Sequence, residues 1–369
     1  MRTWIELDAR AARQNVRAFR RLAGPRVKLW SVVKSNAYGH GLFAYSRLAA
    51  GLGVDGFCVD SLVEATALRR DGIRQPILVL GHTLPERCPE AVKHRIAITV
   101  SNFEALRELE RAPAAPAFHI KLDTGMHRQG FYLSDLPRLI RRLAARPALR
   151  EKFAGLYTHF AAAHDPGDTA YAEIQFRAYE RAAAQFTQAG FRRFLRHAAA
   201  TGGALLDPRY RLDAVRIGIG LYGLWPSREL EARYGEALRL APVLSWRAVV
   251  SEVKPLQAGD YVGYDLTERV QKPCSMAVLP VGYWHGFPRA LSSCGEALIH
   301  GHRTRVLGRV SMDVTVVAPA GRARPGAVAT LIGRDRREII SAAGAAAQAG
   351  TTPYEFLTRL NPLIEKVVV

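Results

Sequence analysis

Lysine, histidine and arginine recur at or just past the ends of short apolar runs in the first part of the sequence. These residue types hold anions and move protons. Lys34 follows the run Leu29-Trp30-Ser31-Val32-Val33. Lys121 lies in a run that leads into Asp123 and Arg128, His159 ends the next run, His197 ends the one after, and Arg216 lies in the last. Any one of them alone reads as a satisfied polar residue. Together they describe one mouth of a parallel α/β structure, where the C-terminal ends of strands meet and catalytic groups gather. An amine at the end of a buried run is expected to be partly desolvated, which lowers its pKa and makes it a nucleophile toward an aldehyde. The competing reading of Lys34 is a lysine that snorkels out of the mouth.

The stretch Val215-Arg216-Ile217-Gly218-Ile219-Gly220-Leu221-Tyr222-Gly223 contains a G-x-G-x-x-G pattern. A dinucleotide-binding fold requires that pattern after the first strand and at the start of a helix, and neither condition holds here. Two glycine-bearing loops, Ala200-Thr201-Gly202-Gly203 and Gly218-Ile219-Gly220, instead follow the last two runs. They suit a phosphate cradle of backbone N–H groups with the Thr201 hydroxyl added, as barrels place after their seventh and eighth strands. Glycines that only serve tight turns are the alternative.

The elements that must position these groups are eight apolar β-type runs: 27–33, 57–59, 77–80, 96–100, 118–122, 153–159, 194–197 and 214–217. Helical patterns lie between most of them, at 61–70 (with Ser61 and Glu64 spaced as a capping box), 102–111, 137–145 and 171–186. Strand and helix alternating about eight times is the pattern of a (β/α)8 TIM barrel, with a doubly wound sheet as runner-up. After about Leu238 short β-type runs dominate, at 245–253, 276–281, 297–299, 306–310, 314–317 and 327–332, with one Ala-rich helix near 341–349. The expected organisation is a barrel over residues 8–237 and a mainly-β domain over 238–369, joined by an N-terminal strand within 1–7.

The chain has 369 residues, 49% of them hydrophobic, enough for a large buried core. No stretch reaches the roughly 18 apolar residues of a membrane span, and the N-terminus lacks a signal-peptide core, so a cytoplasmic protein is expected. The four cysteines form no C-x-x-C pair and suit neither a disulfide framework nor a zinc site, so no metal is expected. The formal net charge of +19 raises the alternative of a nucleic-acid-binding protein. Much of the excess sits on helices or their flanks, as at Arg138, Arg141 and Arg142 or Arg192, Arg193 and Arg196, with no interleaved aromatics for stacking. Solvated helix faces are the preferred reading, with neither nucleic acid nor membrane as partner.

Several segments together resemble bacterial alanine racemases, a family of fold-type III pyridoxal-phosphate enzymes. In the barrel they are Val32-Val33-Lys34-Ser35-Asn36-Ala37-Tyr38-Gly39-His40-Gly41, Lys121-Leu122-Asp123-Thr124-Gly125-Met126-His127-Arg128, Leu156-Tyr157-Thr158-His159-Phe160 and the stretch from Arg216 to Gly223. In the β domain they are Gly263-Tyr264, Pro280-Val281-Gly282-Tyr283, Gly308-Arg309-Val310-Ser311-Met312-Asp313 and Thr352-Pro353-Tyr354-Glu355. They span nearly the whole chain in the family's order. The sequence departs from the family in two places. The loop commonly Asn-Ser-Ala is Ala200-Thr201-Gly202, and Gly-Tyr-Ala-Asp-Gly is Gly282-Tyr283-Trp284-His285-Gly286.

The resemblance implies a pyridoxal 5'-phosphate enzyme that interconverts L- and D-alanine, supplies D-alanine for peptidoglycan, and works as a head-to-tail homodimer with shared active sites. It implies that Lys34 carries the cofactor and that Tyr264, contributed by the partner subunit, is the opposing acid/base with Met312 beside it. Tyr38, Thr201, Gly218, Ile219 and Tyr354 would surround the phosphate. Arg216 would face the pyridine nitrogen with His159 nearby, Arg128 would lie near the phenolic oxygen and the substrate, and Lys121 matches a lysine carbamylated in some members. Inverting a carbon through a planar state needs two acid/base groups on opposite sides, which suits this pair. Arg216 would stay charged and only donate, leaving the ring nitrogen unprotonated and the cofactor a weaker electron sink. The alternative is a racemase of another amino acid (serine, lysine or a broad set), against which Tyr354 and Met312 argue by narrowing the pocket.

Overall fold

The computed structural model describes residues 1–319, 321 and 323–369. Its contacts divide the chain into two compact units, Arg13–Ser35 with Ser46–Ala241, and Met1–Ala12 with Asn36–Tyr45 and Pro242–Val369.

After an N-terminal strand β1 (Thr3–Leu7), eight strands follow in the first unit: β2 (Lys28–Val32), β3 (Gly56–Val59), β4 (Ile77–Val79), β5 (Ile98–Val100), β6 (Phe118–Lys121), β7 (Phe153–Tyr157), β8 (Leu195–His197) and β9 (Ala214–Ile217). All neighbouring pairs are parallel, in the orders β4-β3-β2-β9 and β5-β6-β7-β8. The two rows close into one barrel. The Leu78–Ala97 bridge joins β4 to β5. Asp213 N to Arg196 O at 3.0 Å and Arg216 N to Ala199 O at 3.0 Å join β8 to β9. This closure excludes the doubly wound sheet, and the short runs 57–59 and 194–197 are genuine strands. Residues of β3, β4, β5 and β6 are buried without alternation, as both faces of barrel strands must be.

The helices between the strands carry the signals that the sequence offered. Leu62–Arg70 has the Ser61–Glu64 capping box with both hydrogen bonds made. Phe103–Arg111 starts at Asn102, whose Oδ1 accepts from Ala105 N at 2.8 Å. Leu136–Ala144 buries Leu136, Leu139 and Leu143, a one-sided apolar stripe.

In the second unit the strands are β10 (Leu244–Val249), β11 (Glu252–Leu256), β12 (Tyr261–Val262), β13 (Glu268–Arg269), β14 (Cys274–Leu279), β15 (Glu296–Ile299), β16 (His302–Val306), β17 (Thr315–Ala318), β18 (Val328–Asp335), β19 (Glu338–Ile340) and β20 (Glu365–Val368). Ten strands form one mixed sheet in the order β11-β14-β17-β16-β15-β18-β10-β1-β20, with β19 on β18. β1 lies antiparallel to β10 and parallel to β20. Along β10, Leu244, Trp246 and Ala248 are buried while their neighbours are half-buried, the alternation of a sheet packed on one side. Two expected runs are corrected here. The run 245–253 is two strands, because β10 pairs with β18 whereas β11 pairs with β14. The run 306–310 ends as a strand at Val306, because Gly308 turns the chain at φ +63, where the backbone of Val262 leaves no room for a Cβ.

Candidate active site

The barrel places the cationic residues at the C-terminal ends of its strands. Lys34 stands two residues past β2, Lys121 closes β6, His159 stands two past β7, His197 closes β8 and Arg216 lies in β9. Arg216 organises the interior. It is 2% exposed. Its Nη2 donates to Thr158 O and Ala198 O, both at 2.9 Å, and approaches His159 Nδ1 at 3.2 Å. Its Nη1 lies 2.7 Å from His197 Nδ1, and His197 Nε2 lies 2.8 Å from His119 Nδ1. A guanidinium only donates, so His197 must accept at Nδ1 and carry its proton on Nε2, from which it donates to His119. The tautomers of this chain are thereby inferred from its one obligatory donor. Tyr157 stacks on His197 at 4.8 Å and 7°, with its hydroxyl 2.9 Å from Thr99 Oγ1.

Burial, and then the Arg216 charge, push the imidazoles of His119 and His159 down to about 3 and that of His197 well below its ordinary value. His40 is lowered to about 4 by burial. These groups bind protons in the unfolded chain below about 6.5 and do not bind them in the fold. Their contribution to stability is therefore complete above pH 6.5 and is lost as pH falls toward the folded values. His40, His119 and His197 are at most 3% exposed. Each sets a slope of up to about 1.4 kcal/mol per pH unit, so together they give a limit of about 4 kcal/mol per unit. His159, a half-buried residue, adds less. Urea midpoints should fall steeply between pH 6.5 and 5, above the range of ordinary carboxylates; a flat profile there would show that the imidazoles are charged in the fold.

Lys121 is 5% exposed, with its Nζ 3.3 Å from Gln129 Oε1. Burial, then Arg128 and Arg216, lower its ammonium to about 8. Asp123 does not neutralise this cluster freely. Its Oδ1 accepts from Gly125 N and His127 N at 3.0 Å and its Oδ2 from Arg128 N at 3.1 Å. Burial pushes its carboxyl up, but the backbone donors, His127 first, outweigh burial and the net direction is down. Asp123 thus shapes the loop that presents Arg128, which is exposed.

Lys34 departs from the expected desolvation. Its side chain is 38% exposed, and its Nζ lies 3.8 Å from Asp60 Oδ1. The backbone after it is unusual. Ser35, Asn36, Ala37 and Tyr38 all have φ between +52 and +56, a left-handed turn of four residues with no glycine among them. Such turns cost roughly 1–2 kcal/mol per residue and persist only when their surroundings hold them. Glu64 Oε1 accepts from Ser35 N at 2.7 Å, while Glu64 Oε2 accepts from Asp60 N at 2.8 Å. Asn36 closes the turn, its Oδ1 accepting from Leu42 N at 2.8 Å and its carbonyl from Gly41 N at 2.9 Å. Glu64 was legible only as a capping residue; its second role, tying the ends of β2 and β3 together, had no sequence signal.

Thr201 is 3% exposed, and its Oγ1 lies 3.4 Å from Gly220 N, so the two glycine-bearing loops meet. Gly218 adopts φ −102 and ψ −99, a backbone that other residues avoid, and leads into the tight turn Ile219–Tyr222. Gly202 replaces the family's alanine where the Ala163 carbonyl occupies the space of a Cβ. Gly202→Ala should therefore destabilise the protein by about 1–3 kcal/mol, read as a lower thermal midpoint. An unchanged midpoint would mean that the 163 loop yields freely.

The remaining expected residues lie in the β unit. Tyr38 and Tyr354 are neighbours, with ring centroids 6.0 Å apart. Burial raises the Tyr354 hydroxyl to about 12, which keeps it a donor. Tyr264 is 67% exposed on the turn Tyr264–Leu266, where Asp265 (φ +63) lies 3.2 Å from Arg309 and 3.8 Å from Arg289. Met312 is exposed, and Trp284 N donates to its carbonyl at 2.9 Å. His285, where the family has an acid, is 8% exposed and turns inward, its Nδ1 accepting from Gly282 N at 3.2 Å.

The donor set fits an anionic, phosphate-bearing cofactor. Arg128 and Lys34 depress both Lys121 and His159. The two nearby acids are engaged, Asp60 with Lys34 and Asp123 with its own loop. The mouth therefore carries an unbalanced positive charge beside two loops of backbone donors. Among the described residues no cluster of histidine, cysteine or acidic groups could hold a metal ion.

Residues 7–226 match the family model "Alanine racemase, N-terminal domain" and residues 243–368 match "Alanine racemase, C-terminal domain". An alanine racemase of Leptospira interrogans is 34% identical over 375 residues, covering 100% of this chain and 96% of the relative. An alanine racemase of Symbiobacterium thermophilum is 38% identical, covering 97% and 95%. The crystal structure of alanine racemase from Bacillus anthracis with bound L-Ala-P superposes with a TM-score of 0.91 at 31% identity, covering 100% of this chain and 95% of that one.

Proposed function

Because the chain belongs to the alanine racemase family and is an amino-acid racemase, we propose that it interconverts L- and D-alanine with pyridoxal 5'-phosphate, using Lys34 and Tyr264 as acid/base groups on opposite faces. The observation that carries the cofactor reading is the convergence of Lys34, Lys121, Arg128 and Arg216 on one barrel mouth, with no free acid to balance them.

When bound, pyridoxal phosphate supplies a carbonyl that condenses with amines and a ring that acidifies the substrate's α-hydrogen. Lys34 would hold it and, once freed by substrate, exchange a proton at Nζ. Tyr264 would exchange the other at Oη. Its exposure suits a group completed by a second copy of the chain, and Leu266, Tyr283, Trp284 and Met312 are likewise large apolar side chains left exposed, as those that interfaces cover are. A homodimer with shared sites is therefore part of the proposal. Tyr38, Thr201, Gly218, Ile219 and Tyr354 would hold the phosphate through hydroxyl and backbone donors. Arg216, fixed by four partners, would donate to the ring nitrogen without ever protonating it, with His159 beside it. Arg128 and Met312 would meet the substrate. The wider role proposed is a cytoplasmic supply of D-alanine for peptidoglycan.

Purified protein loaded with pyridoxal phosphate should convert L-alanine to D-alanine, followed by chiral chromatography. If it forms no D-alanine but racemises serine or lysine, the alternative substrate stands in its place.

A further inference from the structure

The end of the barrel opposite the catalytic groups is strongly cationic. In a parallel barrel the strand N-termini share one end with the C-termini of the helices that precede them. The connections at that end carry Arg26 before β2, Arg74 before β4, Arg95 before β5, Lys152 before β7, and Arg192 and Arg193 before β8. All six are exposed, and none makes an ion pair with a described residue. The acids on the loops entering β3, β4 and β9 are already matched. Asp55 pairs with Arg20 at 2.7 Å, Asp213 pairs with Arg196 at 3.0 Å, and Asp71 pairs with Arg47. Glu151, exposed beside Lys152 and without an ion pair among the described residues, offsets one of the six, and these connections keep a net positive charge. Chain topology collects this charge at one end of the barrel.

We propose that this face docks on a phospholipid surface rich in anionic headgroups. The cations are spread around the barrel end on five of its eight connections, so a planar array of phosphates can meet them together. A rod-like duplex would meet only those along one line. No large apolar side chain is exposed on these connections, so nothing there inserts between acyl chains or stacks on bases. Attachment is therefore electrostatic, reversible and salt-sensitive, and it leaves the strand C-terminal mouth uncovered. Five of the six cations are arginines, which bind phosphate oxygens in pairs.

The test is co-sedimentation of the cofactor-loaded protein with vesicles at about 0.1 M salt. Vesicles containing phosphatidylglycerol should carry the protein down, and pure phosphatidylcholine should not. Each cation at such a surface is worth about five-fold in affinity. The quadruple variant Arg74→Glu, Arg95→Glu, Arg192→Glu, Arg193→Glu should therefore bind at least about 100-fold more weakly. Its racemase activity should stay unchanged, which shows that it folds. A control of equal net charge, Arg13→Glu, Arg17→Glu, Arg181→Glu, Arg228→Glu, should keep most of the binding. The proposal is overturned if the unmodified protein ignores anionic vesicles, or if both variants lose binding alike. It is also overturned if a short DNA duplex displaces the protein from vesicles at equal phosphate, since the partner would then be nucleic acid.

Discussion

Lys34→Ala should form D-alanine from L-alanine at least about 10³-fold more slowly than the unmodified protein, because one side chain is assigned both cofactor attachment and one proton transfer. Borohydride treatment followed by peptide mass spectrometry should find a pyridoxyl group on residue 34 of the unmodified protein and none in the variant. The experiment discriminates between two amines. Lys121, its ammonium lowered to about 8 by burial and then by Arg128 and Arg216, is a usable nucleophile at neutral pH. Access decides for Lys34, whose side chain is 38% exposed at the mouth, whereas Lys121 is 5% exposed and directed at Gln129. A Lys34→Ala protein that still racemises, with the pyridoxyl group on Lys121, would reverse the assignment.

Tyr264→Phe should lower kcat/KM by about 10² to 10⁴-fold in both directions. The symmetry is obligatory. Enantiomers have equal free energies in water, so kcat/KM for L to D must equal kcat/KM for D to L in any variant. Rates therefore cannot reveal which face was disabled, but hydrogen exchange can. In heavy water the Phe variant should still exchange the α-hydrogen of the one enantiomer whose hydrogen faces Lys34, without inverting it. The other enantiomer should exchange slowly. Mass spectrometry of recovered, chirally separated alanine reads this directly. Equal loss of exchange from both enantiomers would place Tyr264 in positioning or assembly instead of proton transfer.

Much of the architecture was legible for specific reasons. Barrel strands are buried on both faces, so each is a short continuous apolar run, and eight such runs stand out between capped helices. Asn102 and the Ser61–Glu64 pair mark helix starts by a local hydrogen bond that residue types alone predict. Other elements were hidden. The strand β20 depends on pairing with β1, hundreds of residues away. The left-handed turn after Lys34 contains no glycine until Gly39, so nothing local announces it.

Local periodicity and motifs read in order were enough for the strand–helix alternation, the residues that gather at strand ends, and the family, whereas closure into a barrel rests on the pairing of β4 with β5 and of β8 with β9. How those residues are used follows from contacts between distant segments. Arg216 and His197 are 19 positions apart, and His197 and His119 are 78 apart, yet they form one chain of hydrogen bonds whose direction a guanidinium dictates. Exposure, which separates Lys34 from Lys121, and the unpaired cations at the far end of the barrel are likewise sums over distant segments. Charge and burial at a point depend on everything that folds around it, and no local stretch of chain carries that sum.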